Sequence, residues 1–322
     1  MYKIAIVGGG FCGLSLCLAL YSKFPDAEIT LFEPEGDGGG ASKISTGLMH
    51  KYVGVQAKLS QFGEGGLRKS LSLIRRASER LGTPLILSEK ILRIPANQLQ
   101  EDAFRLASEN HDDLKWVETE SIDPLLPRSP SLLIESGYSV DSAGYLKGLM
   151  LMGKDLGLNV QNTRIETAEQ LSSFDFTILA TGAAPFPGLE PLKVHPVKGQ
   201  LLEIAWPKDL KPLPCSLIGS VYIAMSKNKK SAIIGATYEH VFHDAKPDRE
   251  IAVRELYQKA CSIYPPLEGA AILDVRAGLR ASMPNRMPFA GKIGDKLYAL
   301  VGMGSKGLLY HAYFADQLVE SL

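Results

Sequence analysis

Residues 1–33 read MYKIAIVGGGFCGLSLCLALYSKFPDAEITLFE, and this stretch decides the fold of the chain. Lys3–Val7 is a short run of β-branched and apolar residues, which is typical of a central parallel strand buried on both faces. Glycines follow it directly, and a helix is predicted from about Gly13 to Lys23. A second apolar strand is predicted from Ala27 to Phe32. Strand, glycine turn, helix and strand in this order predict a βαβ unit that binds a dinucleotide.

The glycine turn fits the fingerprint G-x-G-x-x-G. Gly8 permits a tight turn, Gly10 lets the backbone approach a pyrophosphate, and Gly13 lets the helix pack close to the strand. The following helix directs its unpaired N–H groups and the positive end of its dipole at the phosphates. Phe11 and Cys12 lie between the second and third of these glycines, and both are predicted cofactor contacts.

An acidic residue ends the second strand. Glu33 lies twenty residues after Gly13. A carboxylate at this place accepts hydrogen bonds from the ribose hydroxyls of the nucleotide and repels the additional phosphate of NADP. A glycine turn alone is a weak signal, because it can simply join a strand to a helix, but here every part has the spacing of a nucleotide site. Up to this residue the sequence leaves NAD and FAD open.

The composition indicates an ordinary globular enzyme without a general attraction to nucleic acid. The chain has 322 residues, of which 45% are hydrophobic. Lys plus Arg and Asp plus Glu both number 35, so a nucleic-acid or membrane partner needs a local charged patch. No apolar run approaches a membrane span, and the first strand begins too early for a signal peptide, so we expect a cytoplasmic protein. The cysteines and histidines show no metal-ligand spacing, so no metal is predicted.

A glycine-rich loop and a basic helix follow Glu33. Residues 35–54 read EGDGGGASKISTGLMHKYVG and carry the hydroxyl groups of Ser42, Ser45 and Thr46. Such a loop can be a connector, but we favour a loop that wraps a phosphate or a flavin ring. A helix is then predicted over residues 55–81. Its basic residues favour a solvated helix face, with a nucleic-acid-binding patch as the alternative. These residues are Arg68, Lys69, Arg75, Arg76 and Arg80.

Two segments interrupt this nucleotide-binding pattern. Residues 83–136 carry short apolar runs at 84–87 and 91–94, a polar helix near 100–109 and a proline-marked loop. Residues 194–266 contain the runs VKGQLLEIAW, SVYIAMS and KSAIIGATYE, followed by an amphipathic helix over 248–264. Three runs of strand length separated by turns predict an antiparallel sheet.

The remaining segments are predicted to lie at the nucleotide-binding site again. A helix is predicted over about 145–156, a strand to about Ile165 and an apolar strand over 174–180, which ends at Thr181 and Gly182. After the second interruption come RAGLRASMPNRMPFAG, the strand LYALVG and a second glycine turn, GMGSKGLL, with an apolar helix behind it. This order places another helix N-terminus at the ligand.

These motifs, in this order and spacing, resemble the D-amino-acid-oxidase-like family of FAD enzymes over essentially the whole chain. Within the family the likeness is greatest to glycine oxidase and to the FAD oxidase domain of the bifunctional enzyme that matures 5-methylaminomethyl-2-thiouridine in tRNA. Lys306 stands where the tRNA enzyme usually has arginine, which keeps the charge but loses the planar fork. The motifs that carry the resemblance are VGGGFCG with Glu33, GASKISTGLMH, GYSVDSAGYL, LATGA, VKGQLL, VYIAMSKNKKSAIIGATYE, GLRASMPNRMPFAG and GMGSKGLL.

The resemblance implies an α/β fold, α+β overall. It implies a Rossmann-like FAD-binding domain assembled from residues 1–82, 137–193 and 271–322. A discontinuous antiparallel-sheet substrate domain would comprise residues 83–136 and 194–270. FAD would be bound non-covalently, because the cysteine by which some relatives tether it, near the C-terminal turn, is absent.

The resemblance also implies where FAD lies. The pyrophosphate would lie on the first glycine turn, the ribose on Glu33, the adenine near Ile165 and Thr181, and the isoalloxazine against the hydroxyl-rich loop. The C-terminal turn would meet the pyrimidine edge of the flavin, where Lys306 would stabilise the negative charge of the reduced form. The predicted contacts are Gly8, Gly10, Phe11, Cys12, Gly13, Glu33, Ser42, Ser45, Thr46, Gly47, Leu48, Ile165, Thr181, Gly182, Gly302, Gly304, Ser305, Lys306, Gly307 and Leu308.

The chemistry implied by the resemblance is oxidation of an amine next to a carboxylate, in which flavin N5 takes a hydride from the carbon between them and water hydrolyses the imine. Molecular oxygen is the expected electron acceptor. Arg280 matches the family's carboxylate-binding arginine, and a bidentate guanidinium suits that role. Tyr222 matches a tyrosine that assists it. With Lys306 these are the predicted catalytic residues, although an arginine beside a strand is ordinarily a surface ion pair and a tyrosine in an apolar strand ordinarily belongs to the core.

Three functions remain open. The first is removal of a carboxymethyl group from a wobble-uridine side chain in tRNA. The second is oxidation of a small molecule such as glycine, sarcosine or a D-amino acid, and the third is flavin binding without catalysis, against which the retained Arg280 argues. Neutral net charge favours a small substrate, while the closer motif likeness favours tRNA. The basic helix and a turn with Lys227, Lys229 and Lys230 could contact phosphates.

Overall fold

The N-terminal βαβ unit forms as predicted. The structure, a computed structural model, describes residues 1–34 and 40–322. The first helix begins at Phe11, two residues before the predicted start, because Gly10 is still extended (φ −74°, ψ −173°) and serves as its N-cap. The elements in chain order are β1 (Lys3–Val7), α1 (Phe11–Lys23), β2 (Glu28–Phe32), α2 (Gly40–Ile44), β3 (Leu48–Met49), β4 (Tyr52–Val53), β5 (Lys58–Leu59), α3 (Gly63–Leu81), β6 (Ile86–Arg93), α4 (Gln98–Asn110), β7 (Leu114–Glu118), β8 (Pro130–Val140), α5 (Ser142–Asp155), β9 (Asn159–Gln161), β10 (Phe176–Leu179), β11 (His195–Ala205), β12 (Ser216–Ile218), β13 (Tyr222–Met225), β14 (Ser231–Gly235), α6 (Arg249–Ala252), a π-helical segment (Val253–Tyr257), α7 (Gln258–Ile263), β15 (Ile272–Ser282), β16 (Phe289–Gly294), β17 (Leu297–Val301) and α8 (Gly307–Glu320).

A six-stranded sheet in the order β16-β17-β10-β1-β2-β9 holds the first strand at its centre. Pairing is parallel except for β16, which runs antiparallel to β17. Ile4, Ala5 and Ile6 are completely buried, as expected for a strand covered on both faces. The helices α1, α3, α5 and α8 pack against each other and share one hydrophobic core with β1 and β2.

The second sheet has nine strands, eight of them in the order β15-β11-β14-β13-β12-β6-β8-β3, while β7 pairs with β8. Pairing is antiparallel except between β12 and β6, so the predicted antiparallel sheet is present with one parallel pair. Its outer face packs on the helical segment between Arg249 and Ile263. The strand β15 pairs with β11 along most of its length, although residue 271 was the predicted start of nucleotide-domain sequence. The chain leaves the large sheet only after Ser282, the last residue of β15. The division into two domains stays a prediction.

Several predicted element boundaries are wrong for local reasons. The helix predicted from residue 55 begins only at Gly63, because β4 and β5 form a hairpin whose turn uses positive φ at Gly54 (69°) and Ala57 (52°). The two apolar runs near residues 84–94 form one strand, β6, with shifts in its register against β8. The strand predicted to reach Ile165 ends at Gln161.

A buried histidine joins three helices behind the nucleotide-binding turn. His311 of α8 is fully buried, and its Nδ1 lies 2.7 Å from the Ser15 hydroxyl of α1. Its Nε2 lies 3.4 Å from the Tyr145 hydroxyl of α5. This arrangement positions the N-terminal ends of α1 and α8 relative to each other. Across residues 1–34 and 40–322, no helix is long and apolar enough to cross a lipid bilayer.

Candidate active site

The glycine turn between β1 and α1 is built for a close anionic ligand. A Cβ on Gly13 would lie 1.8 Å from the carbonyl oxygen of Gly8, so only glycine allows the helix to approach the strand this closely. Among the described residues, Gly10 gives the N-terminus of α1 no side-chain cap, and its first turn carries no acidic residue. The Phe11 N–H donates to Ser42 Oγ, and the Cys12 and Gly13 N–H groups and the dipole of this helix are available to a pyrophosphate. These features fit the predicted dinucleotide.

Glu33 lies beside this turn, where its carboxylate accepts a hydrogen bond from the Gly9 N–H. Both residues line a cavity of about 220 Å³. Two lysines also line it, and sequence reasoning missed both because nothing in their local pattern distinguishes them from surface lysines. The full lining is Gly9, Leu14, Glu33, Lys43, Ala143, Leu146, Lys147 and Met150.

The hydroxyl-rich loop is attached to the glycine turn on one side and to β8 on the other. The Phe11 N–H donates to Ser42 Oγ over 3.3 Å. The Gly47 N–H donates to Ser45 Oγ over 3.1 Å, and the Val140 N–H donates to the Gly47 carbonyl over 3.0 Å. Thus Ser42 lies next to the turn, whereas Gly47 and Leu48 lie against β8. Residues 35–39, the first part of the predicted loop, lie outside the described residues.

The strand β10 ends beside the same turn. The Ala180 N–H donates to the Val7 carbonyl over 2.8 Å, which brings the following Thr181 and Gly182 next to Gly8. Ile165 packs against the neighbouring hydrophobic cluster of this sheet. The predicted adenine contacts are therefore near the carboxyl ends of the parallel strands, where ligands bind in such sheets.

Arg280 faces the site from the edge strand of the large sheet. In the pairing of β11 with β15, Val197 lies opposite Arg280 and Gly199 lies opposite Gly278. The guanidinium lies directly over Gly199, where a Cβ would come within 2.3 Å of Nη2. Arg280 Nη1 donates to the Thr237 carbonyl over 3.2 Å, and among the described side chains Arg280 has no ion pair. Most of its five N–H donors thus remain available to an anion.

Tyr222 lies across the same face. It pairs with Gly235, where a Cβ would lie 2.4 Å from the tyrosine oxygen. The Thr46 hydroxyl donates to this oxygen, which joins the hydroxyl-rich loop to the sheet. Burial raises the pKa of Tyr222, while the bond from Thr46 and the charges of Arg280 and Arg276 act in the opposite direction. Because Thr46 is the donor, the O–H of the tyrosine can itself donate to a ligand.

Sequence reasoning missed the glycines that make room on this face. Gly199 and Gly235 lie under Arg280 and Tyr222, and a Cβ on Gly278 would lie 2.2 Å from Cδ1 of Ile44 in α2. A signal was present, because glycine inside a strand pattern often marks a close approach of a ligand or another chain segment.

The C-terminal turn packs against the end of β15, immediately before α8. This turn therefore lies beside the end of the strand that carries Arg280, and its contact with the flavin stays a prediction. The Lys306 ammonium lies 5.2 Å from the centre of the Tyr310 ring. Burial lowers the pKa of Lys306, and the charge of Arg286 lowers it further. Within the described part of the chain Lys306 has no hydrogen bond to Arg280 or Tyr222, so the three predicted catalytic residues do not form one directly bonded group.

The basic helix α3 is partly neutralised. Lys69 forms an ion pair of 2.5 Å with Asp316, and Arg80 is paired with Asp155. The exposed residues Arg68, Arg75 and Arg76 have no ion pair among the residues that the structure describes. The predicted patch thus retains three guanidinium groups that can reach a phosphate.

The parallel sheet with its glycine turn has the features of a dinucleotide-binding protein, and the second, larger sheet lies beside it. The chain belongs to the family described as FAD dependent oxidoreductase (DAO), which it matches over residues 3–321. The predicted family resemblance, fold class, enzyme class and FAD cofactor are confirmed. Non-covalent attachment of FAD stays a prediction.

Individual relatives differ in length from this chain. Glycine oxidase of Pseudomonas putida is 31% identical over 136 residues, which cover 41% of this chain and 36% of that protein. The tRNA 5-methylaminomethyl-2-thiouridine biosynthesis bifunctional protein MnmC of Maricaulis maris is 23% identical over 333 residues, covering 99% of this chain and 52% of that protein. The chain thus spans about half the length, or less, of these curated relatives. Glycine oxidase from Geobacillus kaustophilus shares the fold, with a TM-score of 0.85, 20% identity, and coverage of 100% of this chain and 95% of that chain.

Proposed function

We propose that this protein oxidises the C–N bond of an amine that is alpha to a carboxylate. One observation carries the proposal: the half-buried Arg280 guanidinium lies flat on Gly199 without an ion pair among the described residues, and the Tyr222 hydroxyl lies on the same face. Two donors at the border between the hydroxyl-rich loop and the large sheet suit a carboxylate. Neutral amines and alcohols would leave the guanidinium without a counter-charge.

The residues have separate tasks in this reaction. Arg280 binds and orients the carboxylate, Tyr222 donates a further hydrogen bond to it, and Thr46 holds the tyrosine. Ile44 closes the face over Gly278 and excludes water. When bound, FAD supplies the acceptor for the hydride from the carbon between amine and carboxylate. The substrate becomes an imine, and water hydrolyses it to the amine and a 2-oxo acid, so positioning outweighs acid–base work. Molecular oxygen is the proposed electron acceptor.

The proposed substrate is an N-carboxymethyl group on a wobble uridine of tRNA. The exposed Arg68, Arg75 and Arg76 on one helix favour it, because phosphate contacts supply most of the affinity for a nucleic acid. The alternative is a small molecule such as glycine, sarcosine or a D-amino acid. Zero net charge and the ion pairs of Lys69 and Arg80 favour that alternative.

Mass spectrometry of wobble nucleosides tests the proposal. Modified tRNA incubated with the FAD-loaded protein should lose the carboxymethyl group and release glyoxylate, and tRNA incubated with Arg280→Ala should not. Sarcosine and glycine are tested in parallel. Rapid turnover of either, with unchanged tRNA nucleosides, would establish the small-molecule alternative.

A further inference from the structure

Three aromatic side chains contact one another in a row that begins at Arg280. We call these three residues, Tyr238, His240 and His195, the ring row. The Arg280 guanidinium carbon lies 5.6 Å from the centre of the Tyr238 ring. Tyr238 contacts His240 edge to face, with ring centres 5.2 Å apart. His240 in turn lies nearly parallel to His195, with centres 6.4 Å apart and an interplanar angle of 29°. The ring row therefore begins at the proposed carboxylate site and leads away from it.

The ring row lies on the site face of the large sheet. His195 is opposite Ser282 in the register of β11 and β15, two residues along from the pair of Val197 and Arg280. Because side chains alternate along a strand, His195 and Arg280 point to the same face. Tyr238 directly follows Thr237, whose carbonyl accepts the hydrogen bond from Arg280. The rings are thus next to the site and on its side of the sheet.

Packing of the protein alone does not account for these rings. The stacked pair of Trp206 and Tyr264 in the core is a useful contrast, since these side chains are 6% and 0% exposed and both donate hydrogen bonds. Tyr238 is 58% exposed, and its hydroxyl makes no hydrogen bond to any described residue. His240 is exposed as well. Aromatic faces left open beside a polar anchor are surfaces on which a planar ligand stacks.

We propose that the ring row is a stacking subsite for a planar ring carried by the amine of the substrate. The inference rests on the proposed function, and it adds a substrate class: a carboxymethyl amine whose nitrogen bears an aryl-methyl or heterocycle-methyl group. The carboxylate binds Arg280, and the ring stacks on Tyr238 or His240. A nucleobase belongs to this class because each base has a π face that stacks on tyrosine and histidine.

Planarity can be tested separately from size with matched synthetic substrates and the FAD-loaded protein. N-benzylglycine carries a planar ring, N-(cyclohexylmethyl)glycine carries a saturated ring of similar size, and sarcosine carries neither. We expect kcat/KM for the benzyl compound to exceed that for the cyclohexylmethyl compound about tenfold, as expected for one stacking interaction. Tyr238→Leu and His240→Leu should each bring this ratio towards one. Val241→Ala, at the 92% exposed residue that follows His240, should keep it.

A binding measurement gives a readout that does not depend on turnover. 4-Phenylbutyrate and 4-cyclohexylbutyrate have the chain length of the two substrates but no amine to oxidise. Their Kd values, measured from the change in flavin absorbance, should differ in the same sense and lose the difference in Tyr238→Leu and His240→Leu. Equal Kd values for the two acids in the unaltered protein, or a difference that survives both substitutions, would overturn the ring row as a stacking subsite.

The two proposals fail in different ways. If the protein oxidises none of the three glycine derivatives and leaves the carboxymethyl group on modified tRNA, while the acids still show a preference that depends on Tyr238 or His240, the proposed function is wrong and the stacking subsite stands. If all three are oxidised in an Arg280-dependent manner with equal kcat/KM for both rings, the proposed function stands and the stacking subsite is wrong.

Discussion

The glycine turn and the Arg280 face, the proposed carboxylate site, are built from different kinds of structure. The turn is made of neighbouring residues, and its geometry follows from the close approach of Gly13 to Gly8 within one βαβ unit. The Arg280 face is made of side chains from strands that are distant in sequence, since Gly199 and Arg280 meet only through the register of β11 with β15. A local motif can be recognised from spacing alone, whereas a face made by strand pairing requires the fold.

The largest effect is expected from a substitution of Gly13 in the glycine turn. In Gly13→Ala the added Cβ would lie 1.8 Å from the Gly8 oxygen, so α1 must move away from β1 and the pyrophosphate site must open. We expect loss of bound FAD and a destabilisation of about 3 kcal/mol or more. FAD content per protein and thermal unfolding measure both.

Gly291→Ala is the matched control, because its Cβ would meet only the Phe289 ring at 3.4 Å. It should retain FAD. A Gly13→Ala protein that binds FAD normally would contradict the assigned role of the turn.

The second test separates the Arg280 face from the turn. Arg280→Ala should keep FAD but lower kcat/KM for carboxylate substrates by a factor on the order of 100, because the substrate no longer forms a charge-assisted bidentate hydrogen bond. Gly199→Ala should produce much of the same decrease with Arg280 intact, because its Cβ would displace the guanidinium. Steady-state kinetics and FAD content measure the two effects.

Arg249→Ala, on an exposed arginine near the same sheet, is the control and should leave kcat/KM unchanged. An unchanged kcat/KM in Arg280→Ala would assign Arg280 to structure alone.

Prediction from sequence succeeded where the signal was contiguous. The strand Lys3–Val7 needed only local periodicity, and so did the helical segment over 248–264, although a π-helical stretch interrupts it. The helix predicted over residues 55–81 is present, but its predicted start was wrong, because the positive φ of Ala57 is not visible in an apolar pattern. Arg280 was identified from a family motif, yet the glycine beneath it and the ring row were not, since cross-strand neighbours depend on register.

The stability of the folded protein in acid depends on His311, which is buried behind the glycine turn. Burial lowers the pKa of His311 to about 3, so it is neutral in the folded protein. An unfolded histidine has a pKa near 6.5, and so the unfolded chain binds more protons as the pH falls below that value. The stability contributed by a neutral His311 is complete above about pH 6.5 and decreases towards pH 3. At pH 5 the loss should be about 2 kcal/mol.

Urea unfolding at pH 7 and pH 5 measures this loss, and His311→Gln should reduce it by about 2 kcal/mol. His50, whose pKa burial and Arg93 also lower to about 3, provides the comparison near the large sheet. His50→Gln should reduce the loss similarly. If His311→Gln leaves the pH dependence unchanged, His311 is protonated in the folded protein.

The smallest effect is expected from the basic surface of α3, which would contact the phosphates of a tRNA bound at the Arg280 face. If Arg68, Arg75 and Arg76 bind phosphates, replacing all three by Ala should flatten the log-log dependence of tRNA affinity on salt by about one for each phosphate that is no longer neutralised. Sarcosine KM should not change, because the interaction of a single partly buried carboxylate is little screened. The charge-matched control replaces Lys115, Lys208 and Lys211, which are exposed elsewhere. Equal salt slopes in both triple variants would mean that α3 is a solvated face, and the small-molecule substrate would then be favoured.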